Sequence, residues 1–300
     1  MGILVSHISK SYKEVQALHD VSFEVKEGEL FGLIGPDGAG KTTLFRILTT
    51  LLLADNGNAV VAGNDVVHNY REIRNQVGYM PGRFSLYQDL TVEENLHFFA
   101  TIFGTTVAEN YELIKDIYDQ ISPFKNRRAG KLSGGMKQKL ALSCALIHKP
   151  QVLFLDEPTT GVDPVSRKEF WEMLKRLQKR GITILVSTPY MDEAELCDRV
   201  ALIHQGKILK IGTPYTITNH FPRSIYSISA NEMYLMIQHL KQYSFVHTVY
   251  PFGSSLHYVD KRETDVKTEI HAYLVGCGIS DVKVSSIQPT IEDVFMELAR

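Results

Sequence analysis

Long hydrophobic runs are what this sequence most lacks. A membrane-spanning helix needs roughly 20 consecutive apolar residues. The best runs here, Val152–Leu155 and Ile182–Val186, are far shorter. A helical membrane protein is therefore excluded, and any work at a membrane must go through a partner. Cysteine is scarce too: Cys144, Cys197 and Cys277 are far apart, with no C-x-x-C pair. That spacing builds neither a disulfide framework nor a thiolate metal site, and it fits inert thiols in the cytosol. A surplus of one charge is also missing, since 32 Lys and Arg face 34 Asp and Glu, for a formal charge of −2. This balance argues against a strongly electrostatic nucleic-acid binder. Met1–Lys10 has no long apolar stretch and does not read as a signal peptide. No internal repeat or low-complexity tract is visible.

What is present reads as an ordinary globular chain, with 44% apolar and 22% charged residues over 300 positions. That length predicts two domains, or three small ones. Ile3–Ile8 and Val21–Val25 alternate apolar and polar residues, as strands of an antiparallel sheet do. Glu29–Ile34 is a more continuous apolar run, as expected of a strand buried on both faces, and Gln151–Leu155 and Ile182–Ser187 read as a second and third buried strand. A helix is predicted over Thr42–Leu53. Thr91 and Glu94 form a T-x-x-E capping box that opens a mainly helical stretch reaching Pro150. Asp163–Pro164 reads as an N-cap with proline at the first helical position, and Gly181 stops that helix. Arg199–Ile203 and Lys207–Ile211 form a hairpin through Gln205–Gly206. Strands alternating with helices imply a largely parallel sheet covered by helices.

After Pro214 the texture changes. Strands at Ser224–Ser229, Val246–Tyr250, Leu256–Asp260 and Val282–Ser286 alternate with helices at Glu232–Lys241 and Thr264–Leu274. This βαββαβ order, with a final helix at Thr290–Arg300, suggests a small ferredoxin-like domain.

Three segments carry chemistry. Gly35-Pro36-Asp37-Gly38-Ala39-Gly40-Lys41-Thr42 satisfies G-x-x-x-x-G-K-[ST], between a buried strand and a helix. Glycines let backbone N–H groups close around phosphates, and the helix N-terminus favours negative charge. Lys41 reaches the β- and γ-phosphates, and Thr42 offers a hydroxyl to Mg²⁺. Val152–Leu155 then delivers Asp156 and Glu157 to the C-terminal end of a strand, where an open α/β sheet binds ligands. Asp156 is the candidate Mg²⁺ holder, directly or through water. Glu157 is the candidate general base toward an attacking water. Third, Leu132-Ser133-Gly134-Gly135-Met136-Lys137-Gln138 opens a helix predicted to run to Lys149. Its bare N-terminus is a second anion cradle.

Taken in order, Gly35–Thr43, Leu132–Gln138, Leu155–Pro158 and Gly161–Pro164 resemble the ATP-binding subunit of ABC transporters. The resemblance covers Ile3 to about Pro214. It implies a fold of the α/β class: a P-loop NTPase domain of the ABC type, residues 1–214, with an antiparallel β subdomain and a helical subdomain at about 90–150. A small α+β domain, residues 215–300, completes the chain. It also implies that ATP is held by Gly35, Pro36, Asp37, Gly38, Ala39, Gly40, Lys41, Thr42 and Thr43, with Mg²⁺ on Thr42 and Asp156. Ser133, Gly134 and Gly135 would touch the ATP of a second subunit, Asp163 would cross the dimer interface, and Tyr12 would stack on adenine. Gln288–Phe295 and Tyr190–Glu195 resemble the ATP-binding subunits of ABC-2 type exporters of the daunorubicin-resistance-like group. That group implies an integral membrane permease as partner, no nucleic acid, and a place on the cytoplasmic face of the membrane. The tail domain reads as a dimer-stabilising or regulatory unit, or as a packing appendage.

Two positions depart from that pattern. Pro189 stands where the family carries a histidine toward the γ-phosphate, and Gly82 where it carries a glutamine. Neither residue supplies the missing side-chain donor. Gln88 lies too far along the chain to replace the glutamine, and His148 and His204 read as surface or packing histidines. Binding is expected to be intact and hydrolysis to be slowed. A homodimer would carry the departure in both sites, whereas a heterodimer could keep one complete centre. Phe84, Leu86, Tyr87 and Leu90 read either as a docking patch for the membrane subunit or as local core. Two other functions stay open: a nucleotide-sensing regulatory subunit, and a non-transport ABC protein acting on ribosomes, which the near-neutral charge disfavours.

Overall fold

The computed structural model describes residues 2–300. The chain divides into two compact units, the first ending at Pro214 and the second running Tyr215–Arg300.

The first unit opens with β1 (Ile3–Tyr12) and β2 (Val15–Val25), an antiparallel hairpin with Ile3 opposite Val25. β3 (Leu30–Ile34) leads into α1 (Lys41–Leu48). Next come β4 (Asn56–Val61), β5 (Asn64–Asp65), α2 (Tyr70–Gln76) and β6 (Val77–Met80). The helical part contains α3 (Val92–Ile102), α4 (Val107–Tyr118) and α5 (Gly134–Leu146). The chain then returns through β7 (Val152–Asp156), α6 (Pro164–Lys179), β8 (Thr183–Thr188), β9 (Arg199–His204) and β10 (Lys207–Gly212). α7 (Pro214–Asn219) begins where this unit ends.

The central sheet has the order β10-β9-β3-β8-β7-β6. All neighbours are parallel except the β9–β10 hairpin. β3 and β7 are buried at every residue, and β8 likewise, because helices cover both faces of a parallel sheet. A second, antiparallel sheet has the order β2-β1-β4-β5. Phe23 stacks on Phe31, and Phe45 of α1 meets Phe154 of β7 edge-on, within one core that joins both sheets to α1.

β1 and β2 run beyond the predicted strands Ile3–Ile8 and Val21–Val25, to Tyr12 and from Val15, and three further details differ from the sequence reading. The helix predicted over Thr42–Leu53 stops at Leu48. Thr50 takes φ 62°, and Leu51 N–H donates to Arg46 O at 2.7 Å, a left-handed cap that spends the last carbonyls and frees Leu51–Leu53 from the helix. The helix predicted to reach Lys149 ends at Leu146, where Lys149 at φ 56° donates back to Leu146 O. The sequence reading assigns nothing between Leu53 and Tyr79, where β4, β5, α2 and the start of β6 lie. β5 has two residues, and α2 runs into β6 without a turn residue; the turn signals that are present, Asn56–Gly57 at the start of β4 and Gly63–Asn64 after it, go unread.

The second unit contains β11 (Ile225–Ser229), α8 (Met233–Gln242), β12 (Val246–Phe252), β13 (Ser255–Asp260), α9 (Lys267–Gly276), β14 (Lys283–Ile287) and α10 (Ile291–Leu298). Its sheet has the order β12-β13-β11-β14 with antiparallel neighbours, the ferredoxin-like arrangement. Tyr226, Ile228, Leu256 and Tyr258 pack under Met236, Leu240, Ile270 and Leu274 of α8 and α9. Thr290 and Asp293 cap α10 reciprocally. Asp293 is also bonded by His257 Nδ1 at 2.6 Å and by the Tyr250 hydroxyl, so α10 is tied to β12 and β13.

Candidate nucleotide site

The phosphate loop leaves the C-terminal end of β3, a strand buried at every residue. Gly35 N–H donates to Thr188 O at 3.2 Å and ties the loop to β8. Gly40 has φ 102°, and a Cβ there would stand 2.5 Å from Ala17 O, so only glycine lets the loop turn into α1. The first N–H groups of α1, at Lys41, Thr42 and Thr43, have no partner within the helix and face the loop. Lys41 is almost enclosed. Its Nζ donates to Gly35 O at 2.8 Å and Pro36 O at 3.0 Å, and stands 3.1 Å from Glu157 Oε1.

The acids arrive from β7. Asp156 is 2% exposed and faces Ser187 across the β7–β8 ladder. Ser187 Oγ donates to Asp156 Oδ1 at 2.6 Å. Glu157 follows with φ 51°, a left-handed conformation that costs a non-glycine residue on the order of 1–3 kcal/mol. Its N–H donates to both Ser187 O at 3.0 Å and Ser187 Oγ at 3.1 Å. Burial and the negative charge of Asp156 push the nearby Tyr79 phenol up to about 12. A buried cation and bare N–H groups bind phosphate. A carboxylate and a hydroxyl, Asp156 and Thr42, are the hard oxygen donors that suit Mg²⁺. A carboxylate aimed into the same cleft can take a proton from water.

At the second candidate cradle the geometry is that of a serine N-cap. Ser133 caps α5 through Met136 N–H, and Ser133 and Gly134 are exposed. Gly135 has a steric reason of its own: a Cβ would stand 2.7 Å from Ser166 Oγ of α6. Asp163 caps α6 by accepting from Ser166 N–H at 3.0 Å and Val165 N–H at 3.1 Å. The Ser166 bond leads in holding that carboxyl below the usual carboxylate range. The structure thus brings Lys41, Asp156 and Glu157 together. Ser133–Gly135 and Asp163 form a second, exposed group. Tyr12 ends β1 and is 42% exposed.

At the two departures the surroundings are defined. A Cβ at Gly82 would stand 3.0 Å from Asp156 O and 3.8 Å from Glu157 Cβ, so this glycine lies directly beside the acids. Pro189 follows β8 and is half-buried. Gln88 lies against Gly130, where its carbonyl accepts Gly130 N–H. His148 stacks on Phe103 with ring centroids 3.8 Å apart and bonds Val77 O, so it is a packing residue. Leu86 is buried, while Tyr87 is exposed and meets Phe98 edge-on.

Sequence reading missed one polar centre. Glu193 is 1% exposed, and its Oε1 accepts from Thr159 Oγ1 at 2.7 Å, Arg167 Nε at 2.6 Å and Trp171 Nε1 at 2.9 Å. Glu193 sits in the segment Tyr190–Glu195, which the sequence reading uses only for its resemblance to exporter subunits and to which it gives no structural role. That reading gives Ser187 no role either, taking it only as the last residue of the buried strand Ile182–Ser187.

A Gly-rich loop between a buried strand and a helix, with acids at the end of the adjoining parallel strand, defines a P-loop nucleotide-binding protein. A family model described as ABC transporter matches residues 18–160. The chain is 34% identical over 302 residues to the Nod factor export ATP-binding protein I of Rhizobium sp. (strain N33), covering 99% of this chain and 97% of that one. It is 42% identical over 214 residues to the probable multidrug ABC transporter ATP-binding protein YbhF of Escherichia coli (strain K12); the match covers 71% of this chain but only 37% of YbhF. A solved ATP-binding subunit of an ABC transporter superposes with a TM-score of 0.67 at 29% identity, over 74% of this chain and 93% of the other. The chain belongs to the ABC transporter family and carries its ATP-binding cassette.

Proposed function

We propose that this protein is the ATP-hydrolysing subunit of an ABC-2 type exporter. The observation that carries this reading is the convergence of Lys41, Asp156 and Glu157 on one cleft at the C-terminal ends of β3 and β7. Gly35–Thr43 bind the phosphates, Lys41 offsets their charge, and Glu157 accepts a proton from the attacking water. Mg²⁺, held by Thr42 and Asp156, would neutralise phosphate charge. Tyr12 stacks on adenine. Ser133, Gly134 and Gly135 cap ATP bound to a second subunit, and Asp163 lies at that interface. The exposure of Ser133 and Gly134 supports a partner-facing role. Pro189 and Gly82 leave hydrolysis slow, because a lost transition-state donor costs about 10²–10³ in rate.

The membrane partner is an integral permease on whose cytoplasmic face the protein sits. A groove of about 510 Å³, lined by Leu51, Phe84, Leu86, Phe99, Ile102 and Phe103 among others, supports a docking role there. The relatives' names, with Nod factor export and probable multidrug transport, support export as the direction. One experiment tests the reading: co-expression with a candidate ABC-2 type permease, purification through the permease, and ATP hydrolysis with and without Glu157→Gln. Absence of the protein from the permease fraction, or full hydrolysis in the variant, would refute it. A second reading, a binding-only subunit paired with a complete ATPase, is favoured by Pro189 and Gly82. Full activity only after addition of a second, different cassette subunit would select it.

A further inference from the structure

We infer that Ser187 is a positioning residue for hydrolysis, setting both acids of the site through one hydroxyl. The inference rests on the reading of Asp156 and Glu157 above and adds a residue to it. Ser187 is fully buried at the penultimate position of β8. Its hydroxyl does two things at once. It donates to Asp156 Oδ1 at 2.6 Å and accepts the Glu157 N–H at 3.1 Å. The Ser187 carbonyl takes the same N–H at 3.0 Å. The hydroxyl therefore fixes the rotamer of one carboxylate and the backbone of the next residue.

The second contact matters because Glu157 is held at φ 51°. A strained conformation persists only where its surroundings over-determine it, and the forked bond from Glu157 N–H to Ser187 supplies that constraint. In this conformation the Glu157 carboxylate lies 3.1 Å from Lys41 Nζ, inside the phosphate loop's reach. Thr188, next in the chain, accepts Gly35 N–H. The end of β8 thus anchors the phosphate loop on one side and the acids on the other. Alanine at 187 would leave a nearly enclosed Asp156 oxygen without this donor and would halve the fork on Glu157.

The test is single-turnover hydrolysis of radiolabelled Mg-ATP by the full chain, with ATP binding measured alongside. Ser187→Ala is expected to slow hydrolysis about ten- to hundredfold, the worth of one hydrogen bond to a charged group, while ATP binding is retained. Ser187→Cys, of similar size but a poor donor, is expected to slow it alike, and its half-saturating Mg²⁺ to rise. Ser187→Thr, which keeps the hydroxyl, is expected to recover the rate. Parental hydrolysis in Ser187→Cys would overturn the inference, because packing alone would then suffice. Ser187→Cys also decides the matter if the alanine variant does not fold. Glu157→Gln run in parallel separates the failures. If it is silent while Ser187→Cys is parental, only the Ser187 assignment falls; if it hydrolyses at the parental rate, the reading of the acids falls and the inference with it.

Discussion

Lys41 Nζ and Glu157 Oε1 stand 3.1 Å apart, with the lysine side chain 3% exposed and the glutamate side chain 23%. The two groups come from opposite ends of the site, α1 and the end of β7, so their ion pair closes the cleft on itself. A phosphate brings more negative charge to Lys41 than one carboxylate does, so it competes with Glu157 for the lysine. Glu157→Gln is therefore expected to keep or tighten ATP binding while hydrolysis drops about 10²–10⁴, the usual worth of a general base. Lys41→Ala is expected to lose binding. Thermal denaturation checks both: nucleotide at about 100 times its Kd should add about 2.7 kcal/mol to the parent and to Glu157→Gln. A full shift in Lys41→Ala would contradict the assignment.

Pro189→His is expected to raise turnover, by up to about 10²–10³ if the imidazole meets the γ-phosphate. Gly82→Gln is expected to gain less. Its Cβ would stand 3.0 Å from Asp156 O, so the backbone that presents the acids must give way by a few tenths of an ångström. The double variant should fall short of the product of the two gains, because neighbours in one network do not add. Phosphate release under saturating Mg-ATP measures all three, and no gain in Pro189→His would remove the basis for calling hydrolysis slow.

The site was legible wherever one residue type at one spacing carries one kind of chemistry. Gly40 and Lys41 announce a phosphate loop because no other residues make that turn and reach that charge. Thr91 with Glu94 and Asp163 with Pro164 announce helix starts, and the structure has them. What stayed hidden depends on register between distant strands. Ser187 matters only because the β7–β8 pairing puts it opposite Asp156. Glu193 matters only because Thr159, Arg167 and Trp171 converge on it from other elements. The early end of α1 was hidden for a related reason: Thr50 takes a left-handed cap that glycine usually advertises.

The second unit should be acid-sensitive through Asp293. Burial raises its carboxyl, but hydrogen bonds from His257, Tyr250 and Thr290 together outweigh burial and hold it below the usual carboxylate value. A depressed folded-state pKa stabilises the fold above the unfolded value of about 3.9, and that contribution is lost as pH falls through the folded value. The unit is thus expected to weaken below about pH 4, with α10 loosening from β12 and β13 first. Asp293→Asn should remove this part of the pH dependence and lower stability at neutral pH. Hydrogen exchange at Tyr250, His257 and the α10 amides, followed from pH 7 to pH 3, reads it. Unchanged α10 protection in Asp293→Asn would show that the carboxylate is not what holds the helix.

Glu193 lets the first unit's wiring be read by fluorescence, because the chain has one tryptophan, Trp171, and its indole N–H donates to Glu193. Glu193→Ala would strip the partner from Trp171, from Thr159 just ahead of Asp163, and from one side of Arg167, which keeps Asp192. Arg167 is partly exposed and keeps Asp192, so the expected cost is that of stranding the buried Trp171 and Thr159 donors, about 1–3 kcal/mol each. Glu193→Gln should cost less, since an amide oxygen can still take the three donors now held by Oε1. Its amide nitrogen, however, would fall where Oε2 has no hydrogen-bond partner. Chemical denaturation followed by tryptophan emission gives both numbers, with a red-shifted native emission expected in Glu193→Ala as the indole loosens. A loss under about 1 kcal/mol in Glu193→Ala would mean that Arg167 re-pairs with Asp192 alone and that Glu193 does not hold Thr159 and α6 to the segment after Pro189.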